Sequence, residues 1–269
     1  MKDRLITAGI DIGSTTSKAA LWEKDHLGPY IIGPSTTNPR ETARECYNKV
    51  LQEAGIGTDE VDFIVGTGYG RVKVSFANDN ISELSAHGRG AKNILPSART
   101  IIDIGGQDTK VVLLDSNGQM LEYVMNDKCA AGTGRFLDFI ARSIGIDVKD
   151  LAKLHSSSDY RPVRLSSMCS VFIESEVINL VNDEVPLTSI VQGLHHSVAT
   201  RVAALVKRVG LVEDVVVTGG VAKNAGVIDA LERNLHIKLR TFPDGVDPQI
   251  MGAIGAAIIA KEMFLRQNR

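Results

Sequence analysis

The fold of this 269-residue chain is decided by one stretch, Asp103-Ile104-Gly105-Gly106-Gln107-Asp108-Thr109-Lys110. Apolar runs precede and follow it, which predicts a strand, a tight turn and a second strand. The pattern occurs 92 residues earlier (103 − 11) as Asp11-Ile12-Gly13-Ser14-Thr15-Thr16-Ser17-Lys18. Each copy begins with Asp-Ile-Gly and has a lysine seven positions after the aspartate. The repeat predicts an internal duplication of an α/β unit.

Each turn has residues suited to holding phosphate. A glycine lets the backbone turn, and hydroxyl and backbone N–H groups line the bend. Two such hairpins could bind the phosphates of one nucleotide from opposite sides of a cleft, although the Walker pattern is absent. Asp11 and Asp103 would then lie near Mg²⁺, through water, because this ion dehydrates reluctantly. The residues assigned to the phosphates are Gly13, Ser14, Thr15, Thr16, Lys18, Gly105 and Gly106.

Composition excludes several classes of function. Hydrophobic residues make up 43% of the chain, charged residues 23%, and the net charge is −2, which is typical of a globular domain without a nucleic-acid-binding surface. No apolar run approaches the ~18 residues that span a membrane, so no membrane partner is expected. The N-terminus has no signal-peptide pattern, so we expect a cytoplasmic protein.

Three further glycine loops follow predicted strands or precede predicted helices. Gly132-Thr133-Gly134 could bring backbone N–H groups to a phosphate or a ribose. Gly219-Gly220-Val221-Ala222-Lys223-Asn224 joins the strand 215–218 to a helix, where two glycines could support a flat adenosine. The loop 66–71 lacks a recognised spacing, and it could be either a structural turn or a functional loop.

The remaining pattern predicts alternating strands and helices. The longest helix starts at Pro186 and ends at Gly210; it carries His195 and His196, which we interpret as structural or surface residues. A last strand is expected at 237–242. A terminal helix follows Gln249, and its small residues permit close helix packing. We expect a first domain of residues 1–97 completed by 248–269, and a second domain of residues 98–247.

The three cysteines form no C-x-x-C pair, which argues against a disulfide framework. Cys46 lies within a predicted helix and is interpreted as a buried apolar residue. Cys129 and Cys169 each lie just before a predicted helix start, where negative charge is stabilised. Spacing alone leaves two buried structural cysteines as an equal alternative.

Together, the segments Gly9–Lys18, Asp103–Lys110 and Thr218–Asn224 resemble the superfamily of actin, sugar kinases and heat-shock-chaperone ATPases. Within it, Cys129-Ala-Ala-Gly-Thr-Gly-Arg-Phe and Met168-Cys169-Ser-Val-Phe-Ile-Glu-Ser-Glu resemble the activators of 2-hydroxyacyl-CoA dehydratases. That family includes ATPase components of benzoyl-CoA reductase. The resemblance covers nearly the whole chain. It implies two duplicated ribonuclease-H-like, actin-like ATPase domains around a nucleotide cleft.

The resemblance also implies a function. Such activators are homodimers that use ATP to send an electron from ferredoxin or flavodoxin, through one [4Fe–4S] cluster between subunits, to a partner iron–sulfur enzyme. The partner would be a dehydratase, a benzoyl-CoA reductase or a double-cubane-cluster protein. Cys129 and Cys169 match the cluster ligands, and two chains would supply the four thiolates that a cubane needs. The adenosine of ATP or ADP would contact Gly219, Gly220, Val221, Lys223 and Asn224, and Gln249 is also assigned to nucleotide binding.

Hydrolysis requires a residue that orients the attacking water. Gln107 and Asp108 are both candidates, and the sequence does not rank them. Two other functions fit the same fold, namely a small-molecule kinase and an ATP-gated binding protein without a cluster. Both normally need additional chain for an acceptor or a substrate domain.

Overall fold

The computed structural model of the chain describes residues 5–155, 158–165 and 169–268, so Met168 of the second cysteine motif lies outside the described residues. The chain divides into two compact units. Unit 1 comprises Met1–Ile101, Leu114–Leu121 and Phe242–Arg269, and unit 2 comprises Ile102–Leu113 and Glu122–Thr241. The turn at 114–121 belongs with unit 1 because Leu114 packs beside Gly88 of that unit.

Strands and helices alternate along the chain. The strands are β1 (Ile6–Ile12), β2 (Thr16–Glu23), β3 (His26–Pro34), β4 (Phe63–Thr67), β5 (Asp79–Asn80), β6 (Thr100–Ile104), β7 (Thr109–Leu114), β8 (Met120–Asn126) and β9 (Val215–Thr218). The helices are α1 (Pro39–Ala54), α2 (Glu83–Ile94), α3 (Gly134–Ser143), α4 (Leu151–Leu154), α5 (Ser170–Asn182), α6 (Leu187–Val209), α7 (Ala225–Leu235) and α8 (Met251–Gln267).

The first sheet has the strand order β3-β2-β1-β4-β5. β1 pairs antiparallel with β2 and parallel with β4, which places the ends of β1 and β4 at one edge of the sheet. All seven residues of β1 are buried. No strand was predicted at β3, whose two glycines and two prolines disfavour one; as an edge strand it tolerates them.

Helices α2 and α8 pack closely in unit 1. A Cβ added at Gly255 would overlap the carbonyl oxygen of Ala86, and one at Gly90 would overlap that of Met251. The expectation that small residues bring the terminal helix close to another helix is therefore confirmed. Pro248–Gln267 is also apolar and long enough to cross a membrane by length and composition, but 56% of its apolar window is buried. The core helix of a globular protein can have the same length and composition, so this is weak evidence for a span.

The second sheet has the order β8-β7-β6-β9, and helices α3 to α7 belong to unit 2. Its core includes Phe136 and Ile140 of α3, and Leu194 and Val198 of α6, all buried. The apolar face predicted for the long helix is the face that packs into this core.

The strand predicted at 237–242 is wrong. Only one bridge forms there, in which the Arg240 N–H donates to the Val215 carbonyl at 2.8 Å. The Leu239 N–H instead donates to the Glu232 carboxylate at 3.0 Å. One backbone N–H of this segment thus bonds to β9 and another bonds to a side chain of α7, so the segment does not pair with β9 as a continuous strand.

Candidate functional site

The first phosphate loop is the hairpin between β1 and β2. Its turn closes with a hydrogen bond from the Gly13 N–H to the Thr16 carbonyl at 3.2 Å. Asp11 and Lys18 lie opposite one another in the register, and Lys18 Nζ is 3.2 Å from Asp11 Oδ2. Both side chains are buried. The hairpin therefore fixes a charged pair directly beneath a turn whose Thr15 is exposed.

Two elements that the motif analysis did not assign support this loop. Ser35 follows β3, and its hydroxyl donates to the Gly13 carbonyl at 2.7 Å. Gly68 follows β4 with φ +85°, and a Cβ there would overlap Asp11 Oδ1. The loop at 66–71, left open above, thus packs directly against the aspartate of the phosphate loop. The nearby Gln249 donates to Thr16 Oγ1 at 3.1 Å, which brings this predicted site residue to the first loop.

The second phosphate loop, between β6 and β7, repeats the first. The Gly105 N–H donates to the Asp108 carbonyl at 2.9 Å, which is the turn bond of the first loop shifted by 92 positions (105 − 13). Lys110 Nζ lies 3.4 Å from Asp103 Oδ2 and 2.8 Å from Asp108 Oδ1. Lys110 was quoted in the motif but not assigned a role, and it is the counterpart of Lys18. Gln107 is exposed.

The duplication extends beyond the two hairpins. Thr218 Oγ1, at the end of β9, donates to Asp103 Oδ1 at 2.8 Å. Gly219 has φ +85°, and a Cβ there would lie 2.8 Å from Asp103 Oδ1 and overlap the carbonyl of Ile104. Gly68 has the same φ and the same relation to Asp11. In each unit, a glycine with positive φ that follows a threonine therefore packs against the buried aspartate. The two threonines differ, since the Thr67 hydroxyl donates to the Ile81 carbonyl at 3.3 Å.

The predicted adenosine loop contains a 3-10 turn at Gly220–Lys223. The helix that follows begins at Ala225, as predicted. The side chain of Val221 is buried in the core of unit 2, so only its backbone could meet a ligand. The Asn224 side chain caps α7, where Oδ1 accepts the N–H of Gly226 at 3.0 Å. The side chains of Val221 and Asn224 therefore have structural roles that the sequence did not indicate.

A buried histidine pair supports this cap. Because Asn224 Oδ1 is an acceptor, its amide nitrogen donates to His195 Nε2 at 3.2 Å. His195 Nδ1 then donates to His155 Nδ1 at 3.0 Å, and His155 Nε2 donates to Asp229 at 3.1 Å. These partners place the proton of the neutral His195 ring on Nδ1. The structural interpretation of His195 is confirmed.

We predict that His195 makes the protein less stable in acid. Burial, together with the neighbouring His155, lowers the pKa of His195 to about 3, whereas the unfolded value is about 6.5. Below pH ~6.5 the unfolded chain binds a proton that the folded chain does not bind until pH approaches 3. The free energy of unfolding should therefore fall by up to about 1.4 kcal/mol per pH unit through this window.

Urea unfolding between pH 7.5 and pH 5.5 tests this prediction. In His195→Gln the side chain cannot titrate, so the pH slope should be smaller than in the wild type by about 1 kcal/mol per unit. His196→Gln is the matched control, since His196 is exposed on the same helix, and it should keep the wild-type slope. Equal slopes in all three proteins would contradict the prediction.

The segment at 132–134 is bonded to the second phosphate loop. The Gly134 N–H donates to the Gly105 carbonyl at 2.9 Å, and the Arg135 N–H donates to the Gly106 carbonyl at 2.8 Å. The Thr133 side chain is buried, and its hydroxyl donates to the Ala130 carbonyl at 2.6 Å. The donors at Gly134 and Arg135 therefore support the phosphate loop, while contact of this segment with a nucleotide stays a prediction.

The three cysteines are thiols in different surroundings. Cys46 is buried, and burial raises its pKa to about 11, which confirms a structural role. Cys169 lies at the N-cap of α5, just before a helix start as predicted, and its side chain is exposed. Cys129 lies five residues before α3, which begins at Gly134, and its carbonyl accepts a hydrogen bond from Asn126 Nδ2 at 2.9 Å. Among the described residues, no group of three or more His, Cys, Asp or Glu side chains could hold a metal ion.

Comparison with protein families settles the kind of protein. The model of the BadF/BadG/BcrA/BcrD ATPase family matches residues 8–260. The chain belongs to this ATPase family. It is therefore an enzyme, and the family resemblance drawn from its motifs is confirmed.

Individual relatives of this ATPase cover nearly its full length. The 2-hydroxyisocaproyl-CoA dehydratase activator of Clostridioides difficile is 45% identical over 260 residues, which are 95% of each chain. A component of the benzoyl-CoA reductase of Thauera aromatica is 34% identical over 264 residues, covering 94% of this chain and 92% of that protein.

Solved structures confirm the fold of this ATPase. The activator of the 2-hydroxyisocaproyl-CoA dehydratase from Clostridium difficile, solved with bound ADPNP, has a TM-score of 0.91 at 42% identity, covering 98% of this chain and 97% of that chain. A ROK family glucokinase from Streptomyces griseus has a TM-score of 0.56 at 12% identity, covering 96% and 99%, which shows the fold alone. The expected actin-like, sugar-kinase-like fold class is thus confirmed.

Proposed function

We propose that this chain is an ATP-driven activator that delivers single electrons to an iron–sulfur 2-hydroxyacyl-CoA dehydratase. One observation carries the proposal. In unit 2 the carbonyls of Gly105 and Gly106, in the second phosphate loop, are hydrogen-bonded to the start of α3, and the segment that leads into α3 holds Cys129. ATP hydrolysis alone needs no thiol in this segment, whereas coupling hydrolysis to a metal cluster does.

Similarity favours a dehydratase over a reductase as the partner. The chain is 45% identical to a dehydratase activator and 34% identical to a benzoyl-CoA reductase component, each over more than nine tenths of its length. We propose a reduced ferredoxin or flavodoxin as the electron donor and the cytoplasm as the location. A double-cubane-cluster protein is the other partner that the cysteine motifs suggest.

Each unit would contribute one phosphate loop to ATP binding. When Mg²⁺ is bound it offsets phosphate charge, and Asp11 and Asp103 would hold it through water. Lys18 and Lys110 would add positive charge beneath the turns. The carboxylate of Asp108 is paired with Lys110 at 2.8 Å, so we assign the orientation of the attacking water to the exposed Gln107.

Cys129 and Cys169 would hold a [4Fe–4S] cluster shared by two copies of the chain. The donor set fits this arrangement, because one chain offers two thiols outside the core and a cubane needs four. A two-fold homodimer supplies four. When bound, the cluster supplies one-electron transfer. The chain itself contributes Asn126, which fixes the backbone of Cys129, and the first turn of α5, whose N–H groups favour negative charge at Cys169.

Anaerobic reconstitution with iron and sulfide tests the proposal. The wild-type protein should bind about four iron atoms per two chains and absorb visible light as a cubane cluster does. Cys129→Ser and Cys169→Ser should each lose most of that iron and the absorbance. With reduced ferredoxin, ATP and the dehydratase, the wild-type protein should activate the partner and neither serine variant should.

Cys46→Ala is the matched control. It removes the remaining thiol, which is buried in unit 1, so iron binding should stay at the wild-type level. Iron that survives both serine substitutions would overturn the cysteine assignment. A wild-type protein that hydrolyses ATP but binds no iron would overturn the whole proposal and return the chain to the kinases or ATP-gated binding proteins.

A further inference from the structure

Arg201 on α6 reaches the sulfur of Cys129. Its Nη1 lies 3.9 Å from Cys129 Sγ, within the range of an N–H···S hydrogen bond. Both residues are half-buried, and Cys129 packs against the core of unit 2. A guanidinium stays charged at any pH that a folded protein tolerates. A fixed positive charge therefore stands beside this one cysteine, 72 positions away along the chain.

The stem of Arg201 rests on the glycine segment that follows Cys129. A Cβ added at Gly132 would lie 3.3 Å from Arg201 Cβ and 3.6 Å from its Cδ, so a larger residue there would press on the arginine stem, which would have to shift by a few tenths of an ångström. The Gly132 carbonyl accepts a hydrogen bond from Thr109 Oγ1 at 2.7 Å. Thr109 lies between Asp108 and Lys110, so the residue that supports Arg201 is bonded directly to the second phosphate loop.

We propose that Arg201 is a positioning residue for Cys129: it holds the sulfur through an N–H···S hydrogen bond and, through Gly132, connects it to the second phosphate loop. This inference rests on the proposed role of Cys129 as a cluster ligand. Hydrogen bonds and positive charge at a ligand sulfur raise the reduction potential of an iron–sulfur centre. Loss of the guanidinium should therefore make the cluster harder to reduce.

The first experiment measures the midpoint potential of the reconstituted dimer by redox titration. Arg201→Met keeps much of the aliphatic stem. It should lower the equilibrium constant for reduction of the cluster about tenfold, which lowers the midpoint potential by about 59 mV for one electron. Arg201→Lys should restore part of the shift. Arg201 and Arg208 both line a cavity of ~340 Å³ in unit 2. Arg208→Met is therefore the control, because Arg208 is exposed and carries the same charge. In this control variant, the equilibrium constant for reduction of the cluster should change less than twofold.

The second experiment needs no cluster. In the iron-free protein, the NMR signal of ¹³Cβ-labelled Cys129 should move in Arg201→Met relative to the wild type, because the guanidinium contacts its sulfur. Cys169 in the same molecules serves as the internal reference, and its signal should not move. Cys129→Ser and Cys169→Ser assign the two signals.

The two experiments separate failure of this inference from failure of the proposed function. A wild-type protein without a cluster would overturn the function, while the Cys129 signal of the iron-free protein would still test the contact with Arg201. A Cys129 signal that is the same in the wild type and in Arg201→Met would overturn the inference. A cluster whose potential is the same in the wild type and in Arg201→Met would overturn the inference. An equal shift in Arg208→Met would also overturn it, because the effect would then be that of any charge lining the cavity.

Discussion

Gly255→Ala should destabilise the protein by about 3 kcal/mol or more. In a helix, alanine is normally better than glycine by about 1 kcal/mol, so propensity alone predicts the opposite sign. Packing decides the outcome here, because the added methyl group would overlap the carbonyl oxygen of Ala86 and lie 2.8 Å from the Gly90 nitrogen. Backbone atoms cannot rotate away as a side chain can. Helices α2 and α8 would have to separate, which opens the core of unit 1.

The measurement is thermal unfolding of the variant beside Gly33→Ala. Gly33 lies in the edge strand β3, and a Cβ there meets nothing within 4 Å, so this control adds the same methyl group without a clash. Its stability should stay within about 0.5 kcal/mol of the wild type. For Gly255→Ala we expect Tm to fall by about 6–12 °C for a chain of this size. A Tm equal to that of the control would show that the helices relax at little cost.

The parts of the fold predicted from sequence are those that depend on local pattern. The repeat of Asp-Ile-Gly with its lysine predicted two hairpins, and the structure builds the same turn bond at Gly13 and at Gly105. Periodicity predicted α6, and the small residues of α8 predicted its close packing. The strand at 237–242 was wrong because its apolar residues resemble a strand, while the donor at Leu239 bonds to a carboxylate of α7.

The parts of the site that were not predicted from sequence depend on contacts between residues far apart along the chain. Thr218 meets Asp103 across 115 positions, and Arg201 meets Cys129 across 72. A single threonine or arginine carries no local signal of such a partner. The sequence does contain a Thr-Gly pair at the end of β4 and another at the end of β9. Their equivalence cannot be seen without backbone coordinates, because only these show that Gly68 and Gly219 have the same φ and lie against their aspartates.

The two units place similar hairpins in different surroundings. Around Asp11, the hairpin is supported by Ser35 of the strand end and by Gly252 of α8, whose added Cβ would lie 2.7 Å from Asp11 Oδ2. Around Asp103, the carbonyls of the turn are bonded to the segment that leads from Cys129 into α3. Only the second hairpin is therefore bonded directly to a cysteine-bearing segment, within the described residues. A change at the second phosphate loop is the one that we expect to alter the cysteine environment.

Asp103→Asn should lower kcat for ATP hydrolysis by about a hundredfold or more. The substitution preserves the shape of the side chain. In the wild type, Thr218 Oγ1 donates a hydrogen bond to the carboxylate at 2.8 Å, and the amide oxygen of an asparagine could still accept that bond. Lys110 keeps its other partner, Asp108, at 2.8 Å. What is lost is one buried negative charge beneath the turn, the charge that we propose acts on Mg²⁺ through water. The protein should remain folded while hydrolysis is nearly lost.

Steady-state hydrolysis of ATP with excess Mg²⁺ measures this effect, and thermal unfolding reports on the fold. Asp138→Asn is the control, because Asp138 forms an exposed ion pair with Arg142 on α3 of the same unit, and its kcat should match the wild type. The duplication extends the prediction, since Asp11→Asn removes the equivalent charge and should give a loss of similar size. A folded Asp103→Asn protein with wild-type kcat would remove this carboxylate from the mechanism, and a large loss at Asp11 alone would show that the two hairpins have diverged in role.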